Sequence, residues 1–125
     1  MNKVKITVLK CTCNEELAKE YGVEGLGVCN YFNVGDTFIT DYRKPEGFCE
    51  DAWQAIQYYA FGLAMGTPRF YDDWVKDEGV AINCCNDGIR PVIFKLERID
   101  EEWSNSGEYY SCIREKPQLK GAGDK

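Results

Sequence analysis

The chain has 125 residues, 44% of them hydrophobic, a length that predicts one domain able to bury a core without disulfides. Its net charge of −6 repels phosphate backbones and anionic lipid, so we expect neither a nucleic acid nor a membrane partner. Histidine is absent, which excludes Ser-His-Asp and Cys-His nucleophile systems and histidine-dependent zinc or iron sites. Any chemistry must therefore use Cys, Asp, Glu, Lys, Arg or Tyr.

The N-terminal third predicts two strands around a short helix and a loop. KVKITVLK alternates apolar and polar residues, as a half-buried strand does, and its charges are unlike a signal peptide, so we expect a cytoplasmic protein. NEELAKEYG predicts a short helix with Asn14 as its N-cap and Gly22 as its stop. The glycine-rich segment GVEGLGVCNYFNVGD predicts a loop that holds Cys29, and DTFITDY predicts the second strand.

The principal helix is predicted at about residues 49–65. Its buried face is marked by apolar residues at helical spacing: Trp53, Ile56, Ala60 and Leu63. RFYDDWVKDEG is expected to add a helical turn. VAINCC and RPVIFKLERI then predict two strands joined by a hairpin turn at Asp87-Gly88.

Beyond residue 100 the pattern predicts a C-terminal hairpin, followed by a disordered tail over residues 116–125. Residues 1–115 are expected to form a single α+β domain. Its sheet is mainly antiparallel, and the principal helix packs across it.

Seven cysteines are the most distinctive feature of the composition: Cys11, Cys13, Cys29, Cys49, Cys84, Cys85 and Cys112. The odd count and the expected reducing compartment favour metal or redox chemistry over disulfides, although buried cysteines are also common packing residues. Paired C-x₂₋₄-C zinc knuckles and ferredoxin-type runs are absent. Cysteines on separate elements can nonetheless hold an iron–sulfur cluster, zinc or another thiophilic metal.

For two cysteine positions, the local sequence itself gives a reason to expect a functional role or a particular environment. Cys49 is predicted near the N-terminus of the principal helix, where the macrodipole favours a thiolate, while Glu50 and Asp51 oppose it. Strand alternation sends Cys84 and Cys85 to opposite faces, with Cys84 expected on the core side and Cys85 on the more polar, ligand-facing side, unless the turn brings both to one site.

Asp87 and Arg90 flank the predicted hairpin turn. Arg90 is a candidate for binding an anionic ligand or for offsetting the charge of a thiolate cluster. The alternative is an ion pair that stabilises the turn, because turn aspartates and strand arginines are common.

Several ordered motifs resemble a family of short, functionally unassigned bacterial and archaeal proteins that is frequent in anaerobes. They are GLGVCNYFNVGDTF, PEGFCEDAW and CCNDGIRPVIFKLER, and the likeness runs from about residue 3 to residue 98. The family pattern is Gly-x-Cys, then Pro-Glu-Gly-Phe-Cys, then Cys-x-Asp-Gly-x-Arg-Pro-Val. The resemblance implies no activity, but it singles out Cys29, Cys49 and Cys85, with Cys84 as an optional neighbour.

The leading hypothesis is an iron–sulfur or zinc site held by Cys29, Cys49 and Cys85, with Cys84 as the fourth ligand and Asp87 and Arg90 beside the cofactor. A second hypothesis is an enzyme or sulfur-transfer protein that uses Cys49 or Cys85 as the nucleophile. A third is an interaction module, binding a protein partner or a second copy of itself, whose cysteines only pack.

Overall fold

The computed structural model describes residues 1–102, and within them one four-stranded antiparallel sheet and two helices form the predicted α+β fold. The elements are β1 (Asn2–Cys11), α1 (Glu15–Tyr21), β2 (Thr37–Thr40), α2 (Glu50–Ala64), β3 (Val80–Cys84) and β4 (Val92–Glu102). The strand order is β2-β1-β4-β3, and each neighbouring pair is antiparallel. The predicted C-terminal hairpin, the domain boundary at residue 115 and the tail lie outside the described residues.

Helix α2 covers one face of the sheet. Its predicted apolar stripe is confirmed, because Trp53, Ile56, Ala60 and Leu63 are all buried. They pack against the inward side chains of the strands: Val4, Ile6, Val8, Ala81, Val92, Phe94 and Leu96. Within residues 1–102 no helix is long and apolar enough to cross a membrane.

Helix α1 follows β1 and begins and ends as predicted. The side-chain oxygen of Asn14 accepts a hydrogen bond from the backbone N–H of Leu17 at 3.1 Å, which satisfies one of the free donors of the first turn. Gly22 ends the helix with its own N–H bonded to the carbonyl of Ala18. The backbone N–H of Asn14 also donates to the carbonyl of Ile89 at 2.6 Å, which joins this end of β1 to the turn between β3 and β4.

The face assignment of the vicinal cysteines is wrong. Cys84 is exposed on the uncovered face of the sheet, whereas Cys85 is partly buried and packs against the core. Ala81 is the buried residue of β3, and Ile82 is 47% exposed. The apolar character of Val80 and Ile82 suggested the opposite, but α2 covers only the face that carries Ala81, Asn83 and Cys85.

The expected helical turn in RFYDDWVKDEG is also wrong, since residues 67–79 contain turns and bends without a helix. Tyr71 and Asp72 have φ values of 56° and 58°, which no right-handed helix contains. The Arg69 side chain donates to the carbonyls of Val75 and Lys76 and pairs with Glu78. These side-chain contacts hold the segment as a compact loop.

Candidate functional site: a cavity lined by three cysteines

Three of the predicted ligands, Cys29, Cys49 and Cys85, line one cavity of about 510 Å³. Asp87 and Arg90 line the same cavity. The three cysteines come from the loop before β2, the start of α2 and the end of β3, so the fold brings together residues that are far apart in sequence. We call this space the cysteine cavity.

Cys29 lies in the loop that the glycine-rich sequence predicts. Its sulfur accepts a hydrogen bond from the backbone N–H of Tyr31 at 3.4 Å. Phe32, which follows Tyr31, is 4% exposed and inserts its ring into the core, so it fixes the position of the loop. The hydroxyl of Tyr31 donates to the carbonyl of Gly47 at 2.9 Å and so ties the Cys29 loop to the segment before Cys49.

Cys49 is the N-cap residue of α2, in extended conformation. Its position is set by Phe48, which is 1% exposed and whose ring centroid lies 4.9 Å from that of Phe38. Within the described residues the Cys49 sulfur makes no capping hydrogen bond. The side chain therefore lies where the unpaired N–H groups and the dipole of the helix favour an anion.

Cys85 follows β3 and stays bonded to β4. Its N–H donates to the carbonyl of Val92 at 3.2 Å, and the N–H of Val92 donates to the Cys85 sulfur at 3.4 Å. The side-chain amide of Asn86 donates to the carbonyl of Asp51 at 3.2 Å. This bond joins the turn after β3 to the first turn of α2, so all three cysteine segments are connected across the cavity.

Asp87 and Arg90 form the ion pair that sequence reasoning offered as an alternative. One carboxylate oxygen of Asp87 accepts the backbone N–H groups of Ile89 and Arg90, at 2.9 and 3.1 Å. The Arg90 Nε lies 3.3 Å from the other oxygen. The backbone bonds from Arg90 and Ile89, with the Arg90 side chain, lower the pKa of Asp87 against the opposing effect of burial. The pair stabilises the turn and keeps Arg90 at the cavity wall.

Cys11 is a residue that sequence reasoning set aside. It ends β1 opposite Val92, packs against the core, and lies 3.6 Å from the carbonyl of Phe32, to which its thiol donates. Burial first, and then the charges of Cys29 and Asp36, raise the pKa of the Cys11 thiol. Cys11 is thus close enough to Cys29 for the two to interact electrostatically, although Cys11 does not line the cysteine cavity.

The remaining cysteines lie elsewhere. Cys84 does not line the cysteine cavity and points to the uncovered face of the sheet. Cys13 lines a different cavity, beside α1. Cys112 is outside the described residues. All six cysteines within residues 1–102 are free thiols.

The cysteine cavity is not arranged around a single ion. Among residues 1–102, no group of three or more Cys, Asp or Glu side chains is placed to hold one metal ion. A tetrahedral zinc ion requires thiolate sulfurs about 3.8 Å apart, since each Zn–S bond is about 2.3 Å long.

Comparison of the chain with protein-family profiles, with curated proteins and with solved structures finds no match. The resemblance to the family of short unassigned proteins therefore remains a prediction from the motifs.

Proposed function

We propose that the cysteine cavity binds an iron–sulfur cluster, or another thiophilic metal centre, through Cys29, Cys49 and Cys85. The observation that carries the proposal is that three free thiols from three separate elements line one cavity. All three also pack against the core, as the packing hypothesis requires.

The three cysteines would bind a metal centre as thiolates. Backbone N–H groups point at the sulfurs of Cys29 and Cys85, and hydrogen bonds to a ligating sulfur are a common means of tuning a metal centre. Cys49 lies at the N-terminus of α2, where the helix dipole stabilises negative charge. Arg90 lies at the same wall, where its guanidinium is paired with Asp87.

A cluster is preferred to one zinc ion because, among residues 1–102, no group of three or more Cys, Asp or Glu side chains is placed to hold a single ion. The predicted fourth ligand, Cys84, faces away from the cavity in this geometry. The fourth position is then left to a ligand from solution or to Cys11, whose thiol would have to turn from the Phe32 carbonyl. A variant that lacks Cys11 separates these two arrangements.

The test is anaerobic purification followed by reconstitution with iron and sulfide, with elemental analysis and a visible absorption spectrum. We expect a fixed content of iron and sulfide, or of zinc, in the wild-type protein. Cys29→Ala, Cys49→Ala and Cys85→Ala should each lose it, whereas the matched variants Cys84→Ala and Cys13→Ala should keep it. Folded wild-type protein that stays colourless and metal-free after reconstitution would contradict the proposal.

A second candidate is a cysteine nucleophile or sulfur-transfer protein. It is favoured by the volume of the cavity, about 510 Å³, which leaves room for a small substrate in a space that Cys85 and Arg90 both line. In that case one thiol should react with iodoacetamide well below pH 8, and uniformly slow labelling would count against it. If the cysteines only pack, substituting Cys29, Cys49 and Cys85 by Ala should change the melting temperature and nothing else.

A further inference from the structure

A second cavity, of about 290 Å³, lies between α2, the loop of residues 67–79 and β3. Its wall includes four aromatic side chains and one amide side chain: Tyr59, Phe70, Tyr71, Trp74 and Asn83. It shares none of its lining residues with the cysteine cavity. We call it the aromatic cavity, and it has no part in the proposed metal centre.

The side chain of Asn83 has a hydrogen-bond acceptor that no donor reaches within residues 1–102. Its side-chain oxygen, Oδ1, is buried and has no hydrogen-bond partner among residues 1–102. A buried acceptor without a donor is unfavourable, and such groups are few in folded proteins. Because Asn83 lies on the side of β3 that α2 covers, a ligand in the aromatic cavity is well placed to supply the missing donor.

The loop presents its rings to solvent at a conformational cost. Tyr71 and Asp72 are the described non-glycine residues with positive φ, a conformation that costs free energy and is concentrated at functional sites. Tyr71 is 55% exposed and Trp74 is 79% exposed, and their rings stack with centroids 5.0 Å apart. The Tyr71 hydroxyl is hydrogen-bonded to that of Tyr59. The strained backbone thus holds two large rings at the mouth of the cavity.

The charge of the loop selects the sign of the ligand. Residues 67–79 contain four carboxylates, Asp72, Asp73, Asp77 and Glu78, against two cations, Arg69 and Lys76, and Arg69 is paired with Glu78. An anionic ligand would be repelled there, and a cation would be attracted.

We propose that the aromatic cavity binds a guanidinium group, carried either by a small molecule or by an arginine side chain. A guanidinium is a planar cation that stacks on aromatic faces, and its N–H groups can donate to Asn83 Oδ1. An ammonium is charged but cannot stack as a plane, and a neutral heterocycle stacks without the attraction of the loop. Asn83 Oδ1 is covered, so a side chain of the cavity wall must move for the guanidinium to reach it.

The test uses the full chain and three probes at millimolar concentration: ethylguanidinium, propylammonium and adenine. Binding is followed by calorimetry and by the NMR signal of the Trp74 indole N–H, assigned with Trp74→Phe. We expect ethylguanidinium to bind at least about tenfold more tightly than either other probe and to shift the Trp74 signal. Equal binding of propylammonium would reduce the site to a charge effect, and preferential binding of adenine would make it a neutral heterocycle site. Either result overturns the proposal.

Substitutions test which side chains of the aromatic cavity bind the guanidinium group. Asn83→Leu should weaken ethylguanidinium binding at least about tenfold, and Asn83→Asp, which keeps an acceptor and adds charge, should preserve or tighten it. Trp74→Ala should weaken it as well, whereas Tyr21→Ala, an equally exposed aromatic on α1, should not. Melting temperatures confirm that each variant is folded, and affinity unchanged in both Asn83→Leu and Trp74→Ala contradicts the site. A blocked Gly-Arg-Gly peptide that binds more tightly than ethylguanidinium identifies an arginine side chain as the natural ligand, and weaker binding identifies a small molecule.

Discussion

Cys84 and Cys85 are adjacent in the chain but lie on opposite faces of the sheet. Cys84 is exposed, whereas Cys85 packs against the core and its sulfur accepts the Val92 N–H. The two adjacent cysteines therefore lie in different environments. Only Cys85 lines the cysteine cavity together with Cys29 and Cys49.

This difference predicts the order in which the two thiols react. In metal-free protein at neutral pH, iodoacetamide should modify Cys84 at least about tenfold faster than Cys85, because the reagent must reach the sulfur. Peptide mass spectrometry after timed quenching measures both rates in one sample. Faster labelling of Cys85 would instead point to an activated thiol and would favour the nucleophile candidate.

Phe48 is the core residue that precedes Cys49, and truncating it should be costly. Its ring is fully enclosed by other core aromatics, so Phe48→Ala should lower the free energy of unfolding by about 3–5 kcal/mol and displace Cys49. Phe61→Ala is the matched control, because Phe61 lies in α2 and its side chain is 47% exposed. This substitution should lower the free energy of unfolding by about 1 kcal/mol or less. Urea unfolding followed by circular dichroism measures both. Similar losses for the two variants would show that the Phe48 ring does not anchor the core.

The hydrogen bond from the Tyr31 hydroxyl to the Gly47 carbonyl predicts a variant that affects the site more than the fold. Tyr31→Phe should cost only about 0.5–1.5 kcal/mol of stability, because Tyr31 is 54% exposed. It should loosen the Cys29 loop against the Cys49 segment and speed the loss of bound metal to a chelator. Tyr21→Phe, on α1, is the control. Identical chelation rates in wild type and Tyr31→Phe would mean that this bond does not hold the cavity together.

The lowered pKa of Asp87 predicts that the free energy of unfolding depends on pH. Its pKa is lower in the folded chain than its usual value of about 3.9, so its contribution is complete above that value and disappears as the pH falls through the folded pKa. The stability difference between wild type and Asp87→Asn should therefore be constant between about pH 5 and 7 and shrink below about pH 4. Urea unfolding at pH 6.5 and at pH 3 tests this. A difference that is the same at both pH values would show that the Asp87 charge plays no part in the turn.

Local pattern was sufficient for most elements of the described chain. Alternation marked β1, helical spacing marked the buried face of α2, and Asn14 and Gly22 marked the ends of α1, because each signal depends on neighbours along the chain. The segment around Tyr71 and Asp72 was missed because its shape depends on Arg69, whose side chain takes carbonyls that a helix would use. The faces of β3 were reversed because the position of α2 decides which face is covered.

The sequence by itself determined the kind of chemistry open to this protein: without histidine and with seven cysteines, a thiol site is the natural hypothesis. It also singled out Cys29, Cys49 and Cys85, which line one cavity. Only the tertiary structure decided that Cys84 does not line the cysteine cavity, that Cys11 interacts electrostatically with Cys29, and that Asn83 lines a separate aromatic cavity. The physical reason is that the strand order and the placement of α2 determine which side chains share an enclosed space. Local sequence periodicity determines neither the strand order nor the helix placement.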